Sequence, residues 1–214
     1  MDHALQCGRL HEVIADHEQS AACIGFGLLM VQRAAPGRVL MWVREDHSER
    51  HDGRVYPPGL AELGIDPTRL ILICARDTKG LIEAARDAVH CDGIGAVMVE
   101  AQDRAIAVDL TATRRLALAA ERSNVTIVLV RLSDEPGSSV ARTRWRVASA
   151  PSMPLEGDAP GHPSFAVELV RDRGGTPPFA VRLEWDRDQM AFRQTPLSGD
   201  MAAVPAERAD QRAA

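Results

Sequence analysis

Four short apolar runs constrain this chain more than any other feature. Residues 39–43 read VLMWV, 70–74 LILIC, 94–99 IGAVMV and 125–130 VTIVLV. Each has the length of a strand and contains no charge. A strand that is apolar at every position is buried on both faces, as happens in a parallel sheet covered by helices on either side. Helical patterns separate the runs. Residues 18–34 are apolar nearly all round, and Pro36-Gly37 ends them. A short helix is expected after Pro57-Pro58, ending near Gly64. Asp77 or Thr78 can cap a helix that ends near Cys91, and Asp109 or Thr111 one that reaches Asn124. Residues 44–54 read as a polar loop.

The pattern changes after Leu132. Residues 140–148, 165–171 and 179–185 alternate polar with apolar, and Gly174-Gly175 and Pro177-Pro178 lie between the last two stretches. Alternation marks antiparallel strands with one wet face, here extending the same sheet. Residues 153–162 are a Pro- and Gly-rich loop. Residues 194–214 are polar and Ala-rich with no period, the composition of a disordered tail. The expected organisation is one α/β domain over residues 1–193 followed by that tail.

Composition narrows the function. The net charge of −5 argues against a broad nucleic-acid-binding face, so any DNA contact is expected to be weak or indirect. Lys79 is the only lysine; the remaining basic residues are arginines. The four cysteines, Cys7, Cys23, Cys74 and Cys91, form no C-x-x-C pair, and Cys23 and Cys74 fall in apolar segments where a free thiol packs as a small hydrophobe. That suits a reducing compartment. The longest apolar run, residues 21–31, is too short to span a bilayer, and no leader pattern opens the chain. A cytoplasmic protein without membrane contact is expected.

The order of elements resembles RecA-type recombinases. The opening Gly8-Arg9-Leu10-His11-Glu12-Val13 is similar to the strand that leads into their phosphate-binding loop. The likeness continues through the Trp42 strand, LGIDPTRLIL, SNVTIVLV and the hairpin VELVRDRGG…VRLEW, covering most of residues 8–186. It implies a RecA-like, mostly parallel central sheet. Only seven residues precede Gly8, so contacts made by a RecA-type N-terminal segment are not expected.

The phosphate-binding loop itself is missing. Such a loop needs G-x-x-x-x-G-K-[ST], whose amides cradle phosphates, whose lysine neutralises them and whose hydroxyl holds Mg²⁺. By register Ala15 and Ser20 stand at the glycines, Ala21 at the lysine and Ala22 at the hydroxyl. Asp16 and Glu18 add carboxylates where phosphates would lie. Glu45 matches the glutamate that activates water in RecA-type ATPases, and Glu100 replaces an aspartate at the end of the third strand. Without nucleotide both are vestigial. No cofactor, metal or catalysis is expected.

Among RecA-like proteins without the loop, the chain most resembles the ImuA family. The segments that carry this are YPPGLAELGIDPTRLIL, DLTATRRLALAAERSNVT, ARTRWRVASAPS and APGHPSFAVELVRDRGG. The resemblance implies a non-catalytic accessory protein of SOS-induced, error-prone translesion synthesis. The implied partners are an ImuB-like relative of Y-family polymerases, an error-prone DnaE-type polymerase and RecA. The alternative on the same fold is a cell-division inhibitor of the SulA type.

Several residues are candidates for partner contacts. Arg142, Arg144 and Arg146 alternate with Thr143, Trp145 and Val147, so a strand puts the arginines on one face. They form either a partner-binding stripe or a solvated face over a packed tryptophan. Arg114 and Arg115 lie early in the Asp109 helix, against its dipole, and have either an external anion or an internal salt bridge as partner. Arg171 and Arg173 flank a hairpin tip. The loop 133–139 is short and acidic and would repel a phosphate backbone. His47 and His51 sit four apart in the segment 44–54, without the context of a metal site.

Overall fold

A computed structural model describes residues 5–102, 108–133 and 137–195. Nine strands form one sheet in the order β3-β2-β4-β5-β1-β6-β7-β8-β9. The first six in that order run parallel to their neighbours: β3 (Leu70–Ala75), β2 (Val39–Glu45), β4 (Ile94–Gln102), β5 (Thr126–Leu132), β1 (Leu10–Ala15) and β6 (Thr143–Ser149). The last three are antiparallel: β7 (Ser164–Asp172), β8 (Phe179–Asp186) and β9 (Ala191–Thr195). This is the mostly parallel α/β sheet with an antiparallel extension that the apolar patterning implies.

Helix α1 (Ser20–Ala34) covers one face of the sheet, and α4 (Thr78–Ala88) and α5 (Leu110–Ser123) cover the other. The two short helices α2 (Asp46–Asp52) and α3 (Pro57–Glu62) connect β2 to β3. Gly27 lets α1 approach closely, since a Cβ there would lie 2.7 Å from Val130 Cγ2. The α1 face carries the large apolar core, with Phe26, Trp145 and Trp185 fully buried. Trp185 packs edge-on against Phe192 at 4.9 Å and donates from Nε1 to the Leu63 carbonyl at 2.9 Å, which ties the antiparallel strands to the end of α3. Asp77 and Asp109 cap α4 and α5, accepting from Gly80 N at 2.8 Å and Ala112 N at 2.7 Å. Among the described residues no helix is long and apolar enough to cross a membrane.

Four expectations need correction. Residues 44–54 do not form a plain loop, because 46–52 fold as α2. Residues 70–74 are a strand but not a buried one: β3 is the edge of the sheet, and Ile71 and Leu72 are 41% and 36% exposed. Cys74 therefore does not pack as a hydrophobe; it is exposed and donates to Glu49 Oε2 at 3.1 Å. The tail expected from Gln194 overlaps β9, which pairs Thr195 with Arg182. Residues 196–214 lie outside the described part.

Candidate functional site

The position of a phosphate-binding loop lies between the end of β1 and the start of α1. Residues 17–19 there form one 3-10 turn, not a wide loop. The Asp16 carboxylate accepts from Gln19 N at 3.0 Å, so one of the amides that would face a phosphate already holds an anion. The Gln19 side chain is committed too, its Oε1 accepting from Ser149 N at 2.8 Å and Ser149 Oγ at 3.0 Å. Ser20, Ala21 and Ala22 open α1 without a cation among them. An open cleft of about 230 Å³ remains between Asp16, Gln19, Ser133 and Arg146.

The two acidic positions are equally engaged. Glu45 accepts from Thr78 Oγ1 at 2.7 Å. Glu100 is fully buried and accepts from Trp42 Nε1 at 3.0 Å and from Arg44 Nη2 at 3.3 Å. Arg44 is itself 3% exposed, lies 5.2 Å from the Trp42 ring centroid and donates from Nη1 to the Gly53 carbonyl at 3.3 Å. A guanidinium of the chain thus neutralises this buried carboxylate. Cys23 in α1 lies close enough for the Glu100 charge, after burial, to push its thiol above the ordinary range.

A second charged cluster sits on the opposite face, around β1 and β6. Glu12 is fully buried and holds Arg131 Nη1 at 3.3 Å and Arg144 Nε at 2.5 Å. Arg144 also reaches the Gly137 carbonyl at 2.7 Å. Arg171 and Arg173 both donate to the Ser139 carbonyl, at 2.9 and 3.2 Å. Burial and the neighbouring Arg144 and Arg173 charges lower the Arg171 pKa. Arg142 pairs with Asp172 at 3.2 Å, and Arg146 with Glu168 at 2.7 Å. Trp145 and Val147 are buried on the other side of the same strand. The structure therefore brings Arg142, Arg144, Arg171 and Arg173 together, Arg142 ion-paired with Asp172 and the other three hydrogen-bonded to internal acceptors, while Arg146 lies further along the strand.

Arg114 and Arg115 are exposed on α5, away from that cluster. Arg115 lines a groove of about 340 Å³ between α4 and α5, together with Lys79, Glu83 and Arg86. His47 lies on α2, and the His51 side chain is outside the described residues. Asp134 and Glu135, which made the 133–139 loop acidic, are also outside them. Two residues of these networks, Arg44 and Arg131, carried no functional expectation.

His11 lies near the start of β1 with no exposure. Its Nε2 donates to the Gln6 carbonyl at 2.9 Å, leaving Nδ1 to accept from Thr143 Oγ1 at 2.7 Å. The Thr143 hydroxyl in turn accepts from Trp145 Nε1 at 2.8 Å. Burial holds His11 neutral, lowering its pKa to about 4. An unfolded chain binds this proton near pH 6.5 and the folded chain does not, so stability falls as pH drops from about 6.5 to about 4. The expected loss from this one group is about 3 kcal/mol. Denaturant titrations at pH 7.5 and 4.5 read it directly, and a His11→Gln variant is expected to lose much less over the same interval.

No protein-family model matches the chain. Two curated relatives do, the ImuA proteins of Caulobacter vibrioides strains NA1000 and ATCC 19089. Each is 35% identical over 187 residues, spanning 80% of this chain and 72% of the relative. At that identity and coverage, the chain belongs to the ImuA family.

Proposed function

We propose that this chain is a non-catalytic accessory protein of damage-induced, error-prone translesion DNA synthesis, acting in the cytoplasm through protein contacts on a RecA-like domain. Its partners are an ImuB-like relative of Y-family polymerases, an error-prone DnaE-type polymerase and RecA, with DNA contacted weakly or through them. Membership of the ImuA family supports the process. The observation that carries the non-catalytic part is the buried Arg44–Glu100 pair, together with the Asp16 carboxylate held at the start of α1. A bound triphosphate would meet carboxylates already satisfied and no lysine. The exposed Arg114 and Arg115, with the arginine group of Arg142, Arg144, Arg146, Arg171 and Arg173, are the proposed contact residues. Planar guanidiniums suit carboxylate-bearing partners.

Thermal denaturation with millimolar ATP and Mg²⁺ tests the missing nucleotide site. A ligand at 100 times its Kd adds about 2.7 kcal/mol. For a domain of this size that raises Tm by roughly 5–10 °C. The expected result is an unchanged Tm; a rise of that order would return the chain to the nucleotide-binding proteins.

A further inference from the structure

The sheet has two free edges among the described residues, and they are built differently. β9 is five residues long, with Arg193 and Gln194 exposed and Arg193 paired to Asp186. Short length and charge are the usual means of discouraging strand addition at an edge. β3 has neither. It reads LILICA, is bonded to β2 on one side, and exposes Ile71 and Leu72 on alternate faces. Its composition is that of an interior strand.

We infer that β3 pairs with β3 of a second copy of this chain, antiparallel across a twofold axis. Self-complementarity favours this occupant. From Leu70 to Ala75 no charge would oppose a like charge, and every side chain brought across is apolar or a thiol. The strand is flanked at its start by exposed Asp66 and Arg69, and at its end by exposed Arg76 and Asp77. With Ile73 on the twofold axis, Arg69 of each strand stands opposite Asp77 of the other, whereas the neighbouring register would set Arg69 against Arg76. The pairing would satisfy the outward N–H and C=O groups of β3 and cover Ile71 and Leu72. One strand pair buries less than the roughly 1,200 Å² of a stable interface, so the dimer dissociates on dilution.

Sedimentation equilibrium of the full chain, from about 1 µM to about 1 mM, reads this association. The expected result is a reversible monomer–dimer equilibrium. Leu72→Lys and Ile71→Lys, both at exposed positions, weaken it at least tenfold. Leu118→Lys, at an exposed leucine on α5, leaves it unchanged. Circular dichroism on each variant separates lost pairing from lost fold. A chain that stays monomeric throughout overturns the inference, as does a dimer that folded Leu72→Lys and Ile71→Lys leave intact. Either outcome assigns the edge to a different partner or to none.

Discussion

Glu100→Ala is expected to lower the folding free energy by about 3–5 kcal/mol, the cost of leaving a buried charge without its partner. Arg44 has almost no solvent exposure, and the Glu100 carboxylate is the anion its Nη2 meets. Removing that carboxylate also strips the Trp42 indole of its acceptor. A loss on this scale is a large part of the stability of an ordinary domain. Equilibrium denaturation with urea measures it as a fall in midpoint. Replacing both partners with apolar residues, Arg44→Met with Glu100→Leu, is expected to recover most of the loss, because a buried pair contributes little against a well-packed apolar pair. A small effect for Glu100→Ala alone would mean that water reaches the pair, and that the site is more open than its burial implies.

The contrast between single and double variants bears on function as well as stability. In an ATPase the acidic residue here serves a metal and must be reachable. In this chain the same position works as a tie between β2 and β4, with its charge cancelled inside the protein.

Much of this was legible in the residues. The uninterrupted runs predicted parallel strands, the alternation after Leu132 predicted the antiparallel wing, and Asp77 and Asp109 were readable as helix caps. The edge position of β3 was not legible, since an apolar run says what a strand can bury but not which strand lies beside it. Nor was α2: DHSERHD has no apolar stripe, and its helix is held locally, in part by an Arg50–Asp46 pair four residues apart. Ala15, Ser20, Ala21 and Ala22 lack the glycines, lysine and Mg²⁺-holding hydroxyl of a phosphate-binding loop in the sequence alone. Arg44 and Arg131 were overlooked although a signal existed. Each ends a run of buried apolar residues, and a charge in such a strand requires a partner across the sheet. Pairing each with a nearby acidic strand residue would have pointed to Glu100 and Glu12.

Arg142, Arg144 and Arg146 are spaced two apart along and just before β6. The structure gives Arg142, Arg144 and Arg146 three different carboxylates, Asp172, Glu12 and Glu168. Their planar groups are therefore pre-ordered, and Arg146, the most exposed of the three, is the one best placed to reach a partner.

The frequency of damage-induced mutations in a clean deletion strain, complemented with either the wild-type gene or Glu45→Gln and with cell length scored in the same cultures, tests the proposed function most directly. Glu45→Gln keeps the acceptor for Thr78 and removes the group that would activate water. The predicted result is induced mutagenesis near the spontaneous level in the deletion, with filamentation retained, and full restoration by both genes. Unchanged mutagenesis in damaged cells that go on dividing would instead mark a division inhibitor, and a Glu45→Gln gene that failed to complement would mark an enzyme.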